Sequence, residues 1–198
     1  MIRLLKNIRF LTWMLIQLVP IGIILFFVIR FSGTTGNAGW MLEEKTGCKA
    51  FTFTNYENRS FTWDGACVDG FAHGKGKLIL LQNGYKYHTF DGTLLKGKAQ
   101  GFGKSTMLDG DTYEGNYQGG LAHGPGRSYN DEGDYFEGTF LNGLRSGRGT
   151  YWYEPTSRFL KYVGAWKAGK RHGTGTLFYR DGEEQSLTFK NGVLTEDQ

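Results

Sequence analysis

The first apolar pattern in the chain is a run of twenty uncharged residues from Phe10 to Ile29. A helix of that length spans about 30 Å at about 1.5 Å per residue, which matches the hydrocarbon core of a bilayer. A cleaved signal peptide usually has a shorter apolar region followed by small residues, whereas this run ends at Arg30 and Phe31. The pattern predicts an uncleaved transmembrane helix within residues 1–30, and cleavage of this segment is the alternative.

The charges that flank this run indicate its orientation. Arg3, Lys6 and Arg9 precede it, whereas the residues after it include both Lys45 and the acidic Glu43. The positive-inside bias therefore places the N-terminus in the cytoplasm. We expect a single-pass membrane protein whose remaining residues lie on the outer, periplasmic or extracytoplasmic, side of a bacterial inner membrane.

From residue 61 onward, one pattern of apolar and polar positions occurs five times. Its template is aromatic-x-Gly-x-(aromatic or apolar)-x-x-Gly-x-x-x-Gly-x-Gly, and successive repeats start 27, 23, 23 and 26 residues apart. A partial sixth repeat over residues 185–192 has Leu187 where the first glycine would stand, and we expect it to close the array. The first rings of the five repeats are Trp63, Phe90, Tyr113, Phe136 and Tyr162.

Each repeat has the pattern of a β-hairpin. Tyr113, Gly115 and Tyr117 alternate with Glu114 and Asn116, which is the period of a strand with two unlike faces. Turn dipeptides that contain glycine then follow about 13 and 10 residues apart, so the chain is predicted to form a continuous antiparallel meander.

Glycine normally weakens a strand, so its recurrence at one position needs a reason. We expect the third-position glycines to leave space in which a neighbouring ring lies against bare backbone; they are Gly65, Gly92, Gly115, Gly138 and Gly164. The rings would shape this side of the sheet, some as core and some as contact surface, and the pattern does not divide them. The eight candidate rings are Trp63, Phe90, Tyr113, Tyr117, Phe136, Phe140, Tyr162 and Trp166.

The phrase Y-x-G-x-W-x-x-G-x-x-x-G-x-G resembles the MORN repeat (membrane occupation and recognition nexus). The repeats from Tyr113 and Tyr162 are nearly complete, whereas Cys67 and Leu94 replace the second ring in the first two. The resemblance implies an elongated, all-β antiparallel sheet and a protein that acts as a scaffold, a tether or a partner of catalytic domains. We therefore divide the chain into an N-terminal transmembrane helix (1–30), a linker and N-terminal extension (31–60), the repeat sheet (61–192) and a tail (193–198).

The composition agrees with an ordered repeat protein and argues against nucleic-acid binding. Glycine contributes 31 residues, but proline only 3, and no collagen-like period is present. The net charge of +4 arises entirely within residues 1–42, because the remainder holds 19 basic and 19 acidic residues. The basic isoelectric point therefore does not indicate a nucleic-acid partner.

The histidines do not predict a metal site. His73, His123 and His172 occupy one repeat position, two repeats or about 19 Å apart at roughly 4.8 Å per strand, which is too far to share an ion. We expect them to have a polar role next to a turn, and we predict no metal and no cofactor. His88 lies alone in the insertion after the first repeat and is assigned no role.

A series of acidic residues follows the first ring of the repeats. Folding each hairpin about its turn places Asp64 opposite Lys77, Asp91 opposite Lys104 and Glu114 opposite Arg127, while Glu137 continues the series. Such solvated cross-strand pairs stabilise a sheet, and paired catalytic acids would need a cleft that separates their pKa values. No nucleophile or phosphate-loop motif is present, so we expect no catalytic residues and no enzymatic activity.

The chain has two cysteines, Cys48 and Cys67. If the anchor exports the repeats to an oxidising compartment, these cysteines are predicted to form a disulfide. Two free thiols that face the cytoplasm are the alternative.

These observations together predict a non-enzymatic, membrane-tethered scaffold that mediates protein–protein interaction at the membrane, as an accessory subunit of an envelope assembly. The alternative is a module that binds lipid headgroups or an envelope glycan, because rows of aromatic rings suit the faces of sugars. The zero net charge of residues 43–198 argues against strong attraction to anionic lipid.

Overall fold

The computed structural model describes residues 39–53 and 58–195, and every regular element within these ranges is a β-strand. The strands arise where aromatic and branched residues alternate with polar ones between turns that contain glycine. In chain order they are β1 Gly39–Leu42, β2 Lys49–Thr52, β3 Arg59–Trp63, β4 Ala66–Val68, β5 Phe71–Gln82, β6 Tyr85–Leu95, β7 Lys98–Met107, β8 Thr112–Gln118, β9 Leu121–Tyr129, β10 Tyr135–Leu141, β11 Leu144–Trp152, β12 Phe159–Lys167, β13 Lys170–Tyr179, β14 Glu184–Lys190 and β15 Val193–Thr195.

The strands form one open sheet in which sequence neighbours are mostly spatial neighbours. Its hydrogen-bonded order is β1, β2 and then β5 through β15 in succession, and both β3 and β4 pair with β5. In the described part of the chain, the pairings are antiparallel except for a short parallel contact between β2 and β5, where Lys49 meets Phe71. The predicted antiparallel meander is therefore confirmed from β5 to β15.

The predicted hairpin turns are present and are of two kinds. Most are two-residue turns in which both residues have positive φ, such as Asn142 (51°) and Gly143 (84°). This is the turn geometry that matches the right-handed twist of the flanking strands. Three longer turns link one repeat to the next, at Gly110, Gly133 and Gly182, where the glycine has positive φ but the acidic residue before it does not.

Hydrogen bonds between turns hold successive repeats in register. In each repeat, the N–H of the second turn glycine donates to a carbonyl at the start of the second strand of the preceding repeat. The donor and acceptor pairs are Gly97 and Ala72 (2.8 Å), Gly120 and Ala99 (2.9 Å), Gly143 and Ala122 (2.8 Å), Gly169 and Arg145 (2.9 Å), and Gly192 and Arg171 (2.8 Å). Each repeat is thus stabilised by its neighbour, as in other repeat proteins.

Residues 39–53 lie within the segment that the sequence analysis treats as linker and N-terminal extension. In the structure they form β1 and β2, and β2 runs beside the turns of the first two repeats. Lys49 N donates to Gly70 O (2.9 Å), and Phe51 N donates to Gly97 O (2.8 Å). Because Met41 and Ala50 are buried in the same core as the repeats, this segment packs on the sheet and is not a free linker.

The predicted transmembrane helix, residues 1–30, lies outside the described residues. Within residues 39–53 and 58–195, no helix is long and apolar enough to cross a bilayer.

Candidate functional site

The two faces of the sheet differ in character. In β8, Tyr113, Gly115 and Tyr117 are buried on one face, which we call the ring face. Glu114 is exposed on the opposite face, which we call the carboxylate face. The strand alternation predicted from the sequence is therefore confirmed, and each face can be considered separately.

A row of glycines crosses the ring face from strand to strand. Each is paired with the next in an unbroken register that runs through Gly76, Gly92, Gly103, Gly115, Gly126, Gly138, Gly149, Gly164 and Gly175 and ends at Leu187. A Cβ atom added at Gly92 or at Gly103 would lie only 2.6 Å from the ring of Phe90. The first ring of a repeat thus lies flat against two glycines, as predicted from the alternation.

The rings on this face contact one another in a continuous chain with edge-to-face geometry. Neighbouring centroids are 4.9 to 5.8 Å apart and ring planes differ by 70° to 89°. Such contacts contribute about 0.5–1.5 kcal/mol each beyond the burial of area. The chain of rings runs through Phe90, Tyr117, Tyr113, Phe140, Phe136, Trp166, Tyr162 and Phe189.

All eight candidate rings named from the sequence are buried, with at most 6% of any of them exposed. This resolves the question that the pattern left open, because these rings form the core and do not offer a contact surface. The reason is geometric, since the first ring of each repeat lies against glycines and the second rings pack between the first rings.

A cavity of about 470 Å³ opens on the ring face near the N-terminal end of the sheet. The chain of rings stops there, because Leu94 stands where later repeats have a second ring. Ala99 is also small at a position that the fourth and fifth repeats fill with arginine. The walls are mainly apolar and include Phe51, Phe53, Leu78, Leu80, Phe90 and Leu94.

Polar side chains also line this apolar cavity, and three of them, those of His88, Ser105 and Tyr117, have a buried polar atom at its wall. His88 Nε2, Ser105 Oγ and Tyr117 Oη are buried and make no hydrogen bond within the described residues. Burial lowers the pKa of His88 to about 4, so the imidazole is neutral at pH 7. Burial also raises the pKa of Tyr117, and the nearby Ser105 hydroxyl opposes that rise. The cavity therefore holds neutral polar groups and no ionised side chain at its inner end.

At the C-terminal end of the same face, two arginines lie on the chain of rings. The guanidinium carbon of Arg145 is 5.0 Å from the centroid of Phe136, and that of Arg171 is 4.6 Å from the centroid of Tyr162. Burial lowers the pKa of Arg145 to about 10, which leaves it charged at pH 7. Among the described residues, neither arginine forms an ion pair with a carboxylate.

Half-buried rings lie against these arginines or continue in a row beside them, and we call the combined area the arginine–ring surface. Its residues are Arg145, Arg171, Tyr151, Tyr153, Phe159 and Tyr179. Arg171 donates to the Tyr153 hydroxyl, and Arg145 donates weakly to Ser128 Oγ (3.5 Å). The surface can therefore offer these two cations and several amphipathic rings to a ligand, and Arg158 lies at its edge, 4.7 Å from the centroid of Phe159.

Neither the cavity nor the arginine–ring surface was predicted from the sequence. Aligning the five repeats on their second strands would have shown Ala72, Ala99, Ala122, Arg145 and Arg171 at one position, which is a change of character along the array. No comparable signal pointed to His88, because its burial depends on how the insertion between the first two repeats folds.

The carboxylate face carries the predicted ladder, with one difference in its pairing. The registers of Asp91 with Lys104 and of Glu114 with Arg127 are confirmed. The ion pairs, however, join adjacent repeats, since Lys104 contacts Glu114 at 3.8 Å and Arg127 contacts Glu137 at 2.9 Å. Each basic side chain lies between two acidic ones and can pair with either, so register alone does not choose the partner.

The histidine position next to the turn has a polar role in hydrogen bonding. His172 Nδ1 accepts a hydrogen bond from Asn191 N (3.3 Å), and Gln100 at the equivalent position accepts one from Gly119 N (3.3 Å). Within residues 39–53 and 58–195, no three His, Cys, Asp or Glu side chains are grouped so as to hold a metal ion.

The predicted disulfide joins Cys48 and Cys67, whose Cα atoms are 5.8 Å apart. Cys48 immediately precedes β2, and Cys67 lies in β4, so the bond attaches the N-terminal segment to the first repeat. Cys67 is the residue that replaces the second ring of that repeat, so the crosslink occurs where the chain of rings is interrupted.

Comparison with protein-family models identifies one family along the repeats. The model of the MORN repeat matches residues 64–80, 90–112, 113–135, 136–158 and 162–184, which together make up more than half of the chain. The second to fifth matched segments begin at or directly beside the first rings named above. A search of the curated proteins finds no significant match.

Proposed function

Because the chain belongs to the MORN-repeat family, we propose that it is a non-enzymatic, membrane-tethered scaffold that binds a protein partner through its arginine–ring surface. The observation that carries this proposal is the pair Arg145 and Arg171, which lie over rings without a carboxylate partner in the described part of the chain. Arginine and tyrosine are the residue types that dominate binding energy at protein interfaces. A partner that presents carboxylates would form ion pairs with both guanidinium groups.

The membrane part of the proposal is supported by the uncharged run from Phe10 to Ile29 and by the basic residues before it. In this arrangement the N-terminus lies in the cytoplasm of a bacterial cell and the repeat sheet lies on the outer side of the inner membrane. The disulfide between Cys48 and Cys67 agrees with an oxidising compartment on that side. The protein would then serve as an accessory subunit of an envelope assembly.

The partner proposal is tested by affinity purification of the full chain from its native membranes. We expect one stoichiometric protein to co-purify with the wild type and to be lost from the double variant Arg145→Gln, Arg171→Gln. The matched control is Lys104→Gln, Arg127→Gln, which removes two cations from the carboxylate face and is expected to retain the partner. Equal retention by both double variants would reject the arginine–ring surface as the interface.

The topology is tested separately with intact spheroplasts. We expect added protease to digest the repeat sheet of the wild type but not of a variant that lacks residues 10–29, which would stay inside. Protection of the wild-type repeats would overturn the proposed orientation.

A second candidate function, binding of an envelope glycan, is favoured by parallel rings on the carboxylate face. Tyr135 stacks on Tyr129 at 5.3 Å and on Trp152 at 5.7 Å, and Lys161 Nζ lies 5.0 Å from the Trp152 centroid. Flat aromatic rows of this kind suit the faces of sugars. Retention of the full chain on immobilised envelope polysaccharide, with loss in Trp152→Ala, would support this second function over the first.

A further inference from the structure

The cavity near the N-terminal end of the ring face has the properties of a binding site, independent of the scaffold function proposed above. Its volume of about 470 Å³ lies within the range of small-molecule sites, which is about 300–1,000 Å³. It is enclosed on one side by the sheet and on another by Phe51 and Phe53. Two unrelated parts of the chain, the repeats and the N-terminal segment, therefore build it together.

The cavity does not follow from the repeat pattern alone. All later repeats have a second ring at the equivalent position, and the fourth and fifth also have an arginine, whereas here Leu94 and Ala99 leave the space open. A packing defect in an apolar core would be lined by apolar atoms, whereas this space has buried polar atoms in its wall. His88 Nε2, Ser105 Oγ and Tyr117 Oη are buried along its wall without hydrogen bonds in the described residues.

Buried polar atoms without partners are costly, and nearly all such atoms in folded proteins find a hydrogen bond to protein, water or ligand. Three of them line one cavity here, and the hydroxyls of Ser105 and Tyr117 are neighbours that can turn toward each other, whereas His88 Nε2 has no such neighbour. His88 is paired with Met107 on the adjacent strand, only two residues from Ser105. These groups can meet one small polar group of a bound molecule.

We propose that this cavity binds a neutral, largely apolar small molecule whose hydroxyl or amide group pairs with His88 Nε2, beside the hydroxyls of Ser105 and Tyr117. The apolar walls select the body of the molecule, and the three polar atoms select its one hydrogen-bonding group. Both a hydroxyl and an amide can donate and accept, so either tautomer of the neutral imidazole is satisfied. The inner wall offers no charged partner to an ionic ligand, and the one carboxylate among the lining residues, Asp109, is exposed in a turn.

The proposal is tested with the full chain in lipid nanodiscs, labelled with ¹³C at the methionine methyl groups. The probes are 1-naphthol and naphthalene, which share a body and differ by one hydroxyl; dialysis and empty nanodiscs give the free concentration. We expect the methyl signal of Met107, which lines the cavity, to shift on titration, and that of Met41, which does not, to stay. We expect 1-naphthol to bind about fivefold more tightly than naphthalene, because one hydrogen bond is satisfied.

Variants separate the polar contact from the cavity itself. The first repeat has a buried phenylalanine, Phe61, at the position that His88 occupies in the second, so the variant His88→Phe is expected to fold. It is expected to abolish the preference for 1-naphthol while naphthalene still binds. Leu94→Phe restores the second ring of the repeat and is expected to block both probes. Ala99→Leu blocks the same space if Leu94→Phe does not fold. His123→Phe, the same substitution in a repeat beyond the cavity, is the control and is expected to bind both probes like the wild type.

Two results would overturn the proposal. The first is the absence of a Met107 shift with either probe, which would mean that the cavity is closed or already filled by the chain itself. The second is equal or tighter binding of naphthalene in the wild type, which would show an apolar void that does not use its polar atoms. Both results leave the partner experiment on Arg145 and Arg171 unaffected, so this inference and the scaffold function can fail separately.

Discussion

The N-terminal and C-terminal repeats share one backbone but complete the ring face differently. The glycine row runs through both without a break. Toward the C-terminus, second rings and arginines cover this row, whereas the first two repeats have Cys67 and Leu94 in place of the rings and alanine in place of arginine. There the chain adds β1, β2 and a disulfide, and a cavity remains.

On the ring face, the two ends differ mainly at two repeat positions, because glycines and turns have already set the sheet. The invariant positions control strand pairing and stacking. Two other positions control which side chains cover the glycine row. In the second repeat they hold Leu94 and Ala99, and in the fourth they hold Phe140 and Arg145. A closed, cationic surface and an open, neutral cavity can therefore occur on the same scaffold.

The largest expected change in stability comes from adding a Cβ atom beneath the first ring of a repeat. We compare the fourth repeat, which is closely packed, with the second, which borders the cavity. Gly138→Ala places that atom 2.8 Å from the Cα of Gly149 and against Phe136, which is fully buried. We expect a loss of about 3 kcal/mol of unfolding free energy, at the upper end of overpacking costs. At Gly92 the added atom would lie 3.0 Å from the Cα of Gly103, but the closer ring of Phe90 lines the cavity and can shift toward it, so Gly92→Ala is expected to cost only about 1–2 kcal/mol.

Urea denaturation of the two alanine variants measures this contrast. Equal losses would mean that the cavity offers Phe90 no room, and the two regions would then be packed equally tightly.

Removing the disulfide is expected to act on the N-terminal end alone. Cys48 and Cys67 are 19 residues apart, and closing a loop of that size contributes about 3 kcal/mol in the chain-entropy model. We expect the double variant Cys48→Ser, Cys67→Ser to lose about 2–3 kcal/mol there. Hydrogen exchange should show lost protection at Phe51 N and unchanged protection at Gly169 N; loss at both would indicate that the whole sheet unfolds as one unit.

A pH titration distinguishes the neutral cavity from the cationic surface. The pKa of His88 is lowered from 6.5 to about 4 in the folded protein, so the unfolded chain binds more protons between these values. Stability should therefore fall as the pH decreases from about 6.5 to 4, by roughly 2–3 kcal/mol from this group. His88→Phe removes this dependence, and the difference between wild type and variant in urea melts at pH 7 and pH 4 measures it. A difference that does not change with pH would mean that His88 is not buried.

The smallest effect concerns the turns of neighbouring repeats. Ala168 and Asn142 both have positive φ, at 49° and 51°, but only asparagine adopts this conformation readily. We expect Ala168→Asn to raise the free energy of unfolding by about 0.5–1 kcal/mol and Asn142→Ala to lower it by a similar amount. Thermal melts of both variants measure the effect, and two changes of the same sign would contradict this turn geometry.

Much of the fold could be predicted because the repeat signals are local. The turn at Asn142-Gly143, the alternation around Gly115 and the pairing of Cys48 with Cys67 each depend on a few residues close in sequence, or on there being only two cysteines. The candidate site could not be predicted to the same extent. Arg145 lies over Phe136 and Trp166 because strands of successive repeats lie side by side, and His88 Nε2 is buried at the wall of a cavity that residues of β2 also line.

The repeat length, the positions of the turns, the face of each strand that carries rings and the MORN-repeat family could all be inferred from the amino-acid sequence. These follow from steric rules that act within a hairpin, where glycine alone tolerates the contact with a ring. Three features became known only from the folded structure. The eight candidate rings are core, Lys104 pairs with Glu114, and polar atoms line a cavity between β2 and the first repeats. Burial and the choice of ionic partner depend on distances between residues far apart in the chain, which no local pattern records.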